Sequence, residues 1–317
     1  MRPRHRSRAW LLRALAVAFF AALAYFGWRY ARHVAWYEVW RALAATPTST
    51  LLAAAALSAA SHAMYSSFDL LGRAYTGHHL GTGAVMRITF ISYAFNLNLG
   101  SLVGGVALRL RLYARQGLSY LTITRILTLS IVTNWVGYLA LAGLVLTLAP
   151  PEPPPGWALS GASLHLLGPL MLATAFAYGA ACVSARPRRV RIRRHVFRLP
   201  SPALLRGQLA LSCANWALMG ALLYVLLQGQ VPYVTVLAVL LVASIAGVIT
   251  HVPANLGVLE AVFVALLSQR VPEPQLLAAL LAFRAIYYLV PLGVATLLYL
   301  AQETRAATSA SRPAPTS

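Results

Sequence analysis

The sequence predicts an all-α, polytopic membrane protein with about six spanning helices and two broken, re-entrant helical hairpins in an inverted repeat. Three observations predict it. First, 59% of the 317 residues are hydrophobic and only 10% are charged; a soluble domain has about 45–50% apolar and about a quarter charged residues. A soluble chain of this length cannot hide so much apolar surface. Second, apolar stretches long enough to cross a bilayer recur from end to end. Third, two further apolar stretches are interrupted by Asn, Gly or Pro at matching places. The same composition excludes a disordered chain, a disulfide-stapled secreted domain and an ordinary cytosolic enzyme.

A hydrocarbon core about 30 Å thick needs roughly 20 helical residues. Residues 1–9 form a basic N-terminus, and the apolar run Leu11–Trp28 follows, with Arg2, Arg4, Arg6, Arg8 and Arg13 flanking its start. A cleaved signal peptide shares that layout. This run is long enough to span, which favours an uncleaved first helix over about 10–29. The other clean stretches are about 48–68, 120–148, 162–184, 204–228 and 275–301. The first interrupted stretch, about 84–116, breaks at Asn96-Leu-Asn98-Leu-Gly100 and again at Gly104-Gly105. The second, about 233–270, breaks at His251-Val-Pro253-Ala-Asn255-Leu-Gly257. The stiff loop Pro150–Gly156 cannot be helical. It divides one integral-membrane domain (10–301) into pseudo-repeats of about 10–149 and 160–301, with a disordered tail over 302–317. Cys182 and Cys213 lie in apolar stretches without metal-ligand spacing and are expected to pack.

All 26 basic residues are arginines, against 6 acids, for a net charge of +20. Cytoplasmic loops collect such an excess. The seven arginines between Arg186 and Arg198 therefore put that loop, and by the same rule the N-terminus, in the cytoplasm. The proline loop, with one glutamate and no arginine, is external. Arg73 is then internal. If 84–116 crossed fully, Arg109, Arg111 and Arg115 would be outside; if it enters and returns, they stay inside. The same construction for 233–270 brings Arg305 and Arg312 to the cytoplasm. Each half becomes helix, helix, hairpin, helix in opposite orientation, and paired interrupted segments point to a transport site. Eight spanning helices are the alternative. A weak similarity of Gly105–Arg115 to Gly257–Leu267 adds support.

Ionisable groups at membrane depth are costly and commonly mark a cavity or pathway. Glu260 should sit in the first turn after the second break, either as a self-stabilised helix cap or paired with Arg284 or Arg109 across a polar cavity. Arg109, Arg111 and Arg115 are either a solvated basic flank or a phosphate site, where the guanidinium fork grips oxygen pairs and the breaks at Gly104, Gly105 and Gly257 expose N–H groups. Asn96, Asn98 and Asn255 either satisfy loosened backbone or touch substrate. Asp69 and Arg73 have the spacing of a helical i,i+4 pair, and nothing more is expected of them. His62, His165 and His251 are too scattered to hold a metal. No nucleotide loop, metalloprotease motif or nucleophile elbow is present, so no cofactor and no catalysis are expected. The basic loop is explained by topology and by an anionic leaflet rather than by nucleic acid.

Three of these stretches resemble a known family. Asn96-Leu-Asn-Leu-Gly-Ser-Leu-Val-Gly-Gly-Val-Ala-Leu-Arg-Leu-Arg-Leu-Tyr113, His251-Val-Pro-Ala-Asn-Leu-Gly-Val-Leu-Glu-Ala-Val-Phe263 and Phe283-Arg-Ala-Ile-Tyr-Tyr-Leu-Val-Pro291 resemble, in order and spacing, signatures of the lysylphosphatidylglycerol synthetase transmembrane (flippase-type) family. They look closest to its YbhN-like inner-membrane members. The resemblance implies a bacterial inner-membrane protein that handles phospholipids, with anionic headgroups as ligands. In fused members a separate soluble domain makes the lipid; this chain ends soon after helix 275–301, so aminoacyl transfer is not expected. Many members carry a glutamate where this chain has Val106, which implies a lipid choice different from that of the aminoacyl-lipid branch. The expected function is a lipid translocase binding headgroups between the hairpins at Asn96, Asn98, Gly104, Gly105, Arg109, Arg111, Asn255, Gly257, Glu260 and Arg284. The alternative is a non-transporting scaffold for a phospholipid-synthesising enzyme.

Overall fold

The computed structural model describes residue 32 and residues 35–151, 161–185, 189–192, 195–250 and 252–310. The expected first helix, most of the proline loop, His251 and Arg312 lie outside the described residues. A short helix, α1 (Trp36–Ala44), meets α2 (Thr48–Ser66) and α3 (Phe68–Thr76) at an 87° bend. Pro47 sets that corner, since its ring cannot continue a helix. The sequence reading missed α1. Val39 packs it against Leu277 and Ala278, while Trp36, Tyr37 and Trp40 are exposed, as suits a helix lying at a membrane interface.

The first interrupted stretch forms a helical hairpin. Its outgoing arm is α4 (Thr82–Leu99), and its return arm is a π-helical stretch (Ser101–Leu108) running into α5 (Arg109–Arg115). Gly100 makes the turn at φ 86°, a conformation glycine adopts without steric cost. The arms touch so closely at Gly104 that an added Cβ would sit 2.1 Å from the Asn96 nitrogen. The glycine pair is thus a packing device rather than an anion-binding loop. Gly104→Ala must push the arms apart, and overpacking of this kind costs about 1–3 kcal/mol. The detergent-solubilised variant should melt correspondingly lower than wild type.

Helix α6 (Tyr120–Leu148), capped by Ser119, packs against α7 (Gly161–Ser184) and α8 (Pro202–Leu226), which Ser201 caps. Between α7 and α8 the arginine-rich loop forms a two-stranded antiparallel hairpin, β1 (Arg189–Ile192) and β2 (His195–Arg198). The sequence reading placed a loop there without strands. Tyr75 ties it down by donating to the Arg198 carbonyl at 2.7 Å.

The second interrupted stretch is the second hairpin. Helix α9 (Tyr233–Thr250) is followed by a break at Pro253–Asn255 and by α10 (Val258–Leu267). Ala254, Asn255 and Gly257 all have positive φ. The 10 residues of α10 reach only about 15 Å, too short to cross a bilayer. Residues flanking this hairpin, Leu226, Leu227, Gln228 and Gln230 before it and Val271 after it, line one small cavity. Leu80 and Leu118, flanking the first hairpin, likewise share one cluster. Helix α11 (Glu273–Phe283) passes through a π-helical turn (Arg284–Leu289) into α12 (Val290–Ala310). The chain is therefore helical past 301 as far as Ala310, where a disordered tail from 302 was expected; Ala, Gln, Glu and Arg are good helix formers.

Among the described residues, five helices are long and apolar enough to span, or six if the bent α1–α3 segment counts as one. The chain is a multi-pass membrane protein. The largest core cluster joins α8, α9, α10, α11 and the π-turn to Ala54 of α2. The tip of the first hairpin, at Leu97, packs against this cluster, and α4 touches the break of the second.

Candidate functional site

The hairpin tips meet beside the π-turn, where loosened backbone requires polar partners. Pro291 has no N–H, so the Ile286 carbonyl loses its helical donor. Ser58 of α2 donates to it at 3.1 Å. Asn98 donates from Nδ2 to the Tyr288 carbonyl at 3.2 Å, as well as to Ala94 of its own helix. A polar ladder continues through the core: Ser61 donates to Asn215 Oδ1 at 2.8 Å and contacts the Tyr287 hydroxyl at 2.9 Å, which in turn contacts the Tyr93 hydroxyl at 3.0 Å. Buried polar groups are retained when they are paired in this way, and between helices they bond across the interface. Asn96 Oδ1, His62 Nε2 and Asn255 Oδ1 are buried and have no hydrogen-bond partner among the described residues.

Arg284 opens the π-turn and closes the second break. Its Nη1 donates to the Ala254 carbonyl at 3.0 Å and its Nη2 to the Asn255 carbonyl at 2.9 Å. It also pairs bidentately with Glu260, through Nε to Oε1 and through Nη2 to Oε2 at 2.9 Å. The Tyr288 ring lies 5.6 Å from the guanidinium carbon. One side chain thus satisfies the two carbonyls that the broken helix cannot, and Glu260 balances its charge. Both groups are partly buried, with side-chain exposures of 13% and 17%. Of the two arginines considered for Glu260, Arg284 is its partner. Asn255 turns back toward α9, donating to the Ala243 carbonyl at 3.4 Å.

Arg109 belongs to a second buried pair. Its Nη1 lies 3.5 Å from Asp69 Oδ1 and 3.3 Å from Ser130 Oγ. Tyr113 donates to Asp69 Oδ2 at 2.8 Å, and Arg109 Nε is buried without a partner. The exposure of Asp69 is zero and that of Arg109 is 3%. This corrects the expected Asp69–Arg73 pair. Arg73 reaches away, donating to the Leu80 carbonyl and Thr82 Oγ1 at 3.2 and 3.0 Å, because the turn before α4 leaves those acceptors open. It also gives the core a second buried carboxylate beside Glu260. The signal was available: in a chain with six acids, each acid inside an apolar stretch merits weight.

Arg111 lies outside this seam. It and Arg115 pair at the surface with Glu303 of α12, where ion pairs contribute little. Glu303→Gln should leave the thermal midpoint unchanged within error, as a melting curve in detergent will show. Three cavities, of about 600, 530 and 220 Å³, are not lined by Asp69, Arg109, Glu260 or Arg284. Both pairs are held by the chain's own groups in this conformation. Among the described residues no group of three or more His, Cys, Asp or Glu side chains comes together to hold a metal ion.

A family model described as the lysylphosphatidylglycerol synthase TM region matches residues 11–295. The chain is similar to the inner membrane protein YbhN of Escherichia coli (strain K12), with 45% identity over 278 residues and 87% of each chain covered. It is also similar to an uncharacterized protein of Synechocystis sp., with 30% identity over 269 residues, 84% of this chain and 83% of the relative. A shorter match links it to the phosphatidylglycerol lysyltransferase of Staphylococcus aureus (strain COL), 29% identical over 91 residues, 27% of this chain and 11% of the relative.

Proposed function

The chain belongs to the lysylphosphatidylglycerol synthase transmembrane-region family, and from that membership and its buried charge pairs we propose that it is a phospholipid translocase of the bacterial inner membrane. One observation carries the reading: Arg284 bridges Glu260 and the broken backbone of the second hairpin where the tips of the two hairpins meet. Irregular backbone at membrane depth is tolerated only where protein or a water-filled cavity satisfies it. Here a charged fork satisfies it, and a charged fork can exchange one anion for another. A lipid phosphate displacing Glu260 keeps the guanidinium bidentately paired, and Glu260 restores the pair once the lipid has left. Arg109 offers the phosphate a second station with the same logic, its charge held by Asp69 when empty. Asn98 and the tyrosine ladder line the way between them.

In this reading the two hairpins are re-entrant and open to opposite faces, and both termini are cytoplasmic. The protein makes and breaks no covalent bond and takes no cofactor. Val106, where many relatives have glutamate, shifts its preference away from aminoacylated lipid.

A second reading is favoured by the saturation of Arg284 by its own chain and by the partial similarity to a lysyltransferase. In it, the pairs are structural and the protein scaffolds a phospholipid-synthesising enzyme. The experiment that separates the two is leaflet exchange in proteoliposomes, read as quenching of fluorescent-headgroup phospholipid from outside. The translocase reading expects exchange well above empty liposomes. Exchange equal to empty liposomes, across anionic and zwitterionic headgroups and with an imposed proton gradient, together with co-purification of a synthesising enzyme, would establish the scaffold.

A further inference from the structure

A cavity of about 600 Å³ is a lateral groove on the surface between α2, α4 and the last helix. Along α2 it is lined by the exposed small residues Ala55, Ala59 and Ala63 and by the buried Ser58, His62 and Ser66. Phe90 and Val294 are among the apolar groups of its walls. From Ala55 to Ser66 the groove follows α2 for about 16 Å at the helical rise, which is the scale of an acyl chain. The lining is apolar apart from a few groups, and the outstanding one is Arg87.

Arg87 stands in the second turn of α4, borders the groove and is exposed. It has no hydrogen-bond or ion-pair partner among the described residues, whereas Arg73, Arg109, Arg111, Arg115 and Arg284 are each engaged. The first turns of α4, which carry Arg87, share a core cluster with Leu112 and Tyr113 of the arginine-bearing α5, the end to which anionic headgroups would be drawn. An unpaired cation above an acyl-sized apolar trough complements one molecule: an anionic phospholipid with its chain below its phosphate.

We propose that this groove holds one acyl chain of an anionic phospholipid whose phosphate pairs with Arg87, a lateral entry site on the way to the hairpin seam. The assignment rests on the lipid-handling reading but predicts occupancy, not a rate.

Native mass spectrometry of the full-length detergent-purified protein tests it, with phosphatidylglycerol and phosphatidylcholine of identical acyl chains. Wild type should retain one phosphatidylglycerol more firmly than Arg87→Gln, by at least fivefold in apparent affinity, with phosphatidylcholine little changed. Ala59→Phe, which fills the trough from an exposed position, should weaken both lipids. Equal phosphatidylglycerol retention by wild type and both variants would mean annular lipid only and would overturn the proposal. Loss in Ala59→Phe without loss in Arg87→Gln would overturn the phosphate pairing. If wild type shows no leaflet exchange while retention still depends on Arg87, the translocase reading fails and this site stands.

Discussion

Asp69→Ala is expected to cost about 3–5 kcal/mol of stability, the penalty for leaving one member of a buried ion pair uncompensated. Arg109 would keep its charge at a position closed to water, with the neutral hydroxyls of Ser130 and Tyr65 as its remaining hydrogen-bond partners. Tyr113 would lose the acceptor of its hydroxyl at the same time. Arg109→Ala should cost a similar amount, since Asp69 would then be left with Tyr113 alone. The double variant Asp69→Asn/Arg109→Gln removes both charges and should recover much of the loss, because two neutral amides are far cheaper to bury than one unpaired ion. A double-mutant cycle of detergent melting or chemical unfolding measures this coupling. Additive losses would show that the 3.5 Å contact carries little energy and that the two residues stabilise the hairpin separately.

Arg284→Ala should be the most damaging single change to activity. It orphans the carbonyls of Ala254 and Asn255 and leaves Glu260 unpaired. Each hydrogen bond to a charged group contributes about 1.5–3 kcal/mol, discounted here because the pair is partly exposed; a net loss of about 3 kcal/mol follows. The break would lose the geometry that meets the first hairpin, and exchange should fall at least tenfold. Arg284→Lys keeps the charge but not the fork. A single ammonium cannot reach two carbonyls and both oxygens of Glu260 together, so this variant should also exchange slowly while staying folded. Lysine at wild-type rate would show that charge alone suffices.

The helical, polytopic architecture was legible because spanning helices announce themselves by length and hydropathy. So were the two interruptions, because Gly, Pro and Asn carry specific backbone meanings. The pairing of Glu260 with Arg284 was within reach as one of two options. Asp69 was not, because the four-residue step to Arg73 suggests a local pair, and only the packing of α3 against α5 and α6 reveals that Asp69 faces inward. The π-turn was also hidden, although Pro291 inside a long apolar run was its signal: a missing N–H demands that some carbonyl find another donor. Ser58, 228 positions from Ile286, can be recognised as that donor only in three dimensions. Helix α1 went unnoticed because nine residues are too few for a spanning pattern.

The measurement that bears most directly on the placement of the Glu260–Arg284 pair on the lipid path is leaflet exchange by Glu260→Gln beside wild type. Thermal midpoints and reconstitution yields of the two should be matched. Glutamine keeps the shape and one acceptor at this site, so the fold should survive, while Arg284 can no longer trade a carboxylate for a phosphate. The account predicts exchange at least tenfold slower than wild type in a folded, reconstituted variant. Exchange at the wild-type rate would contradict it.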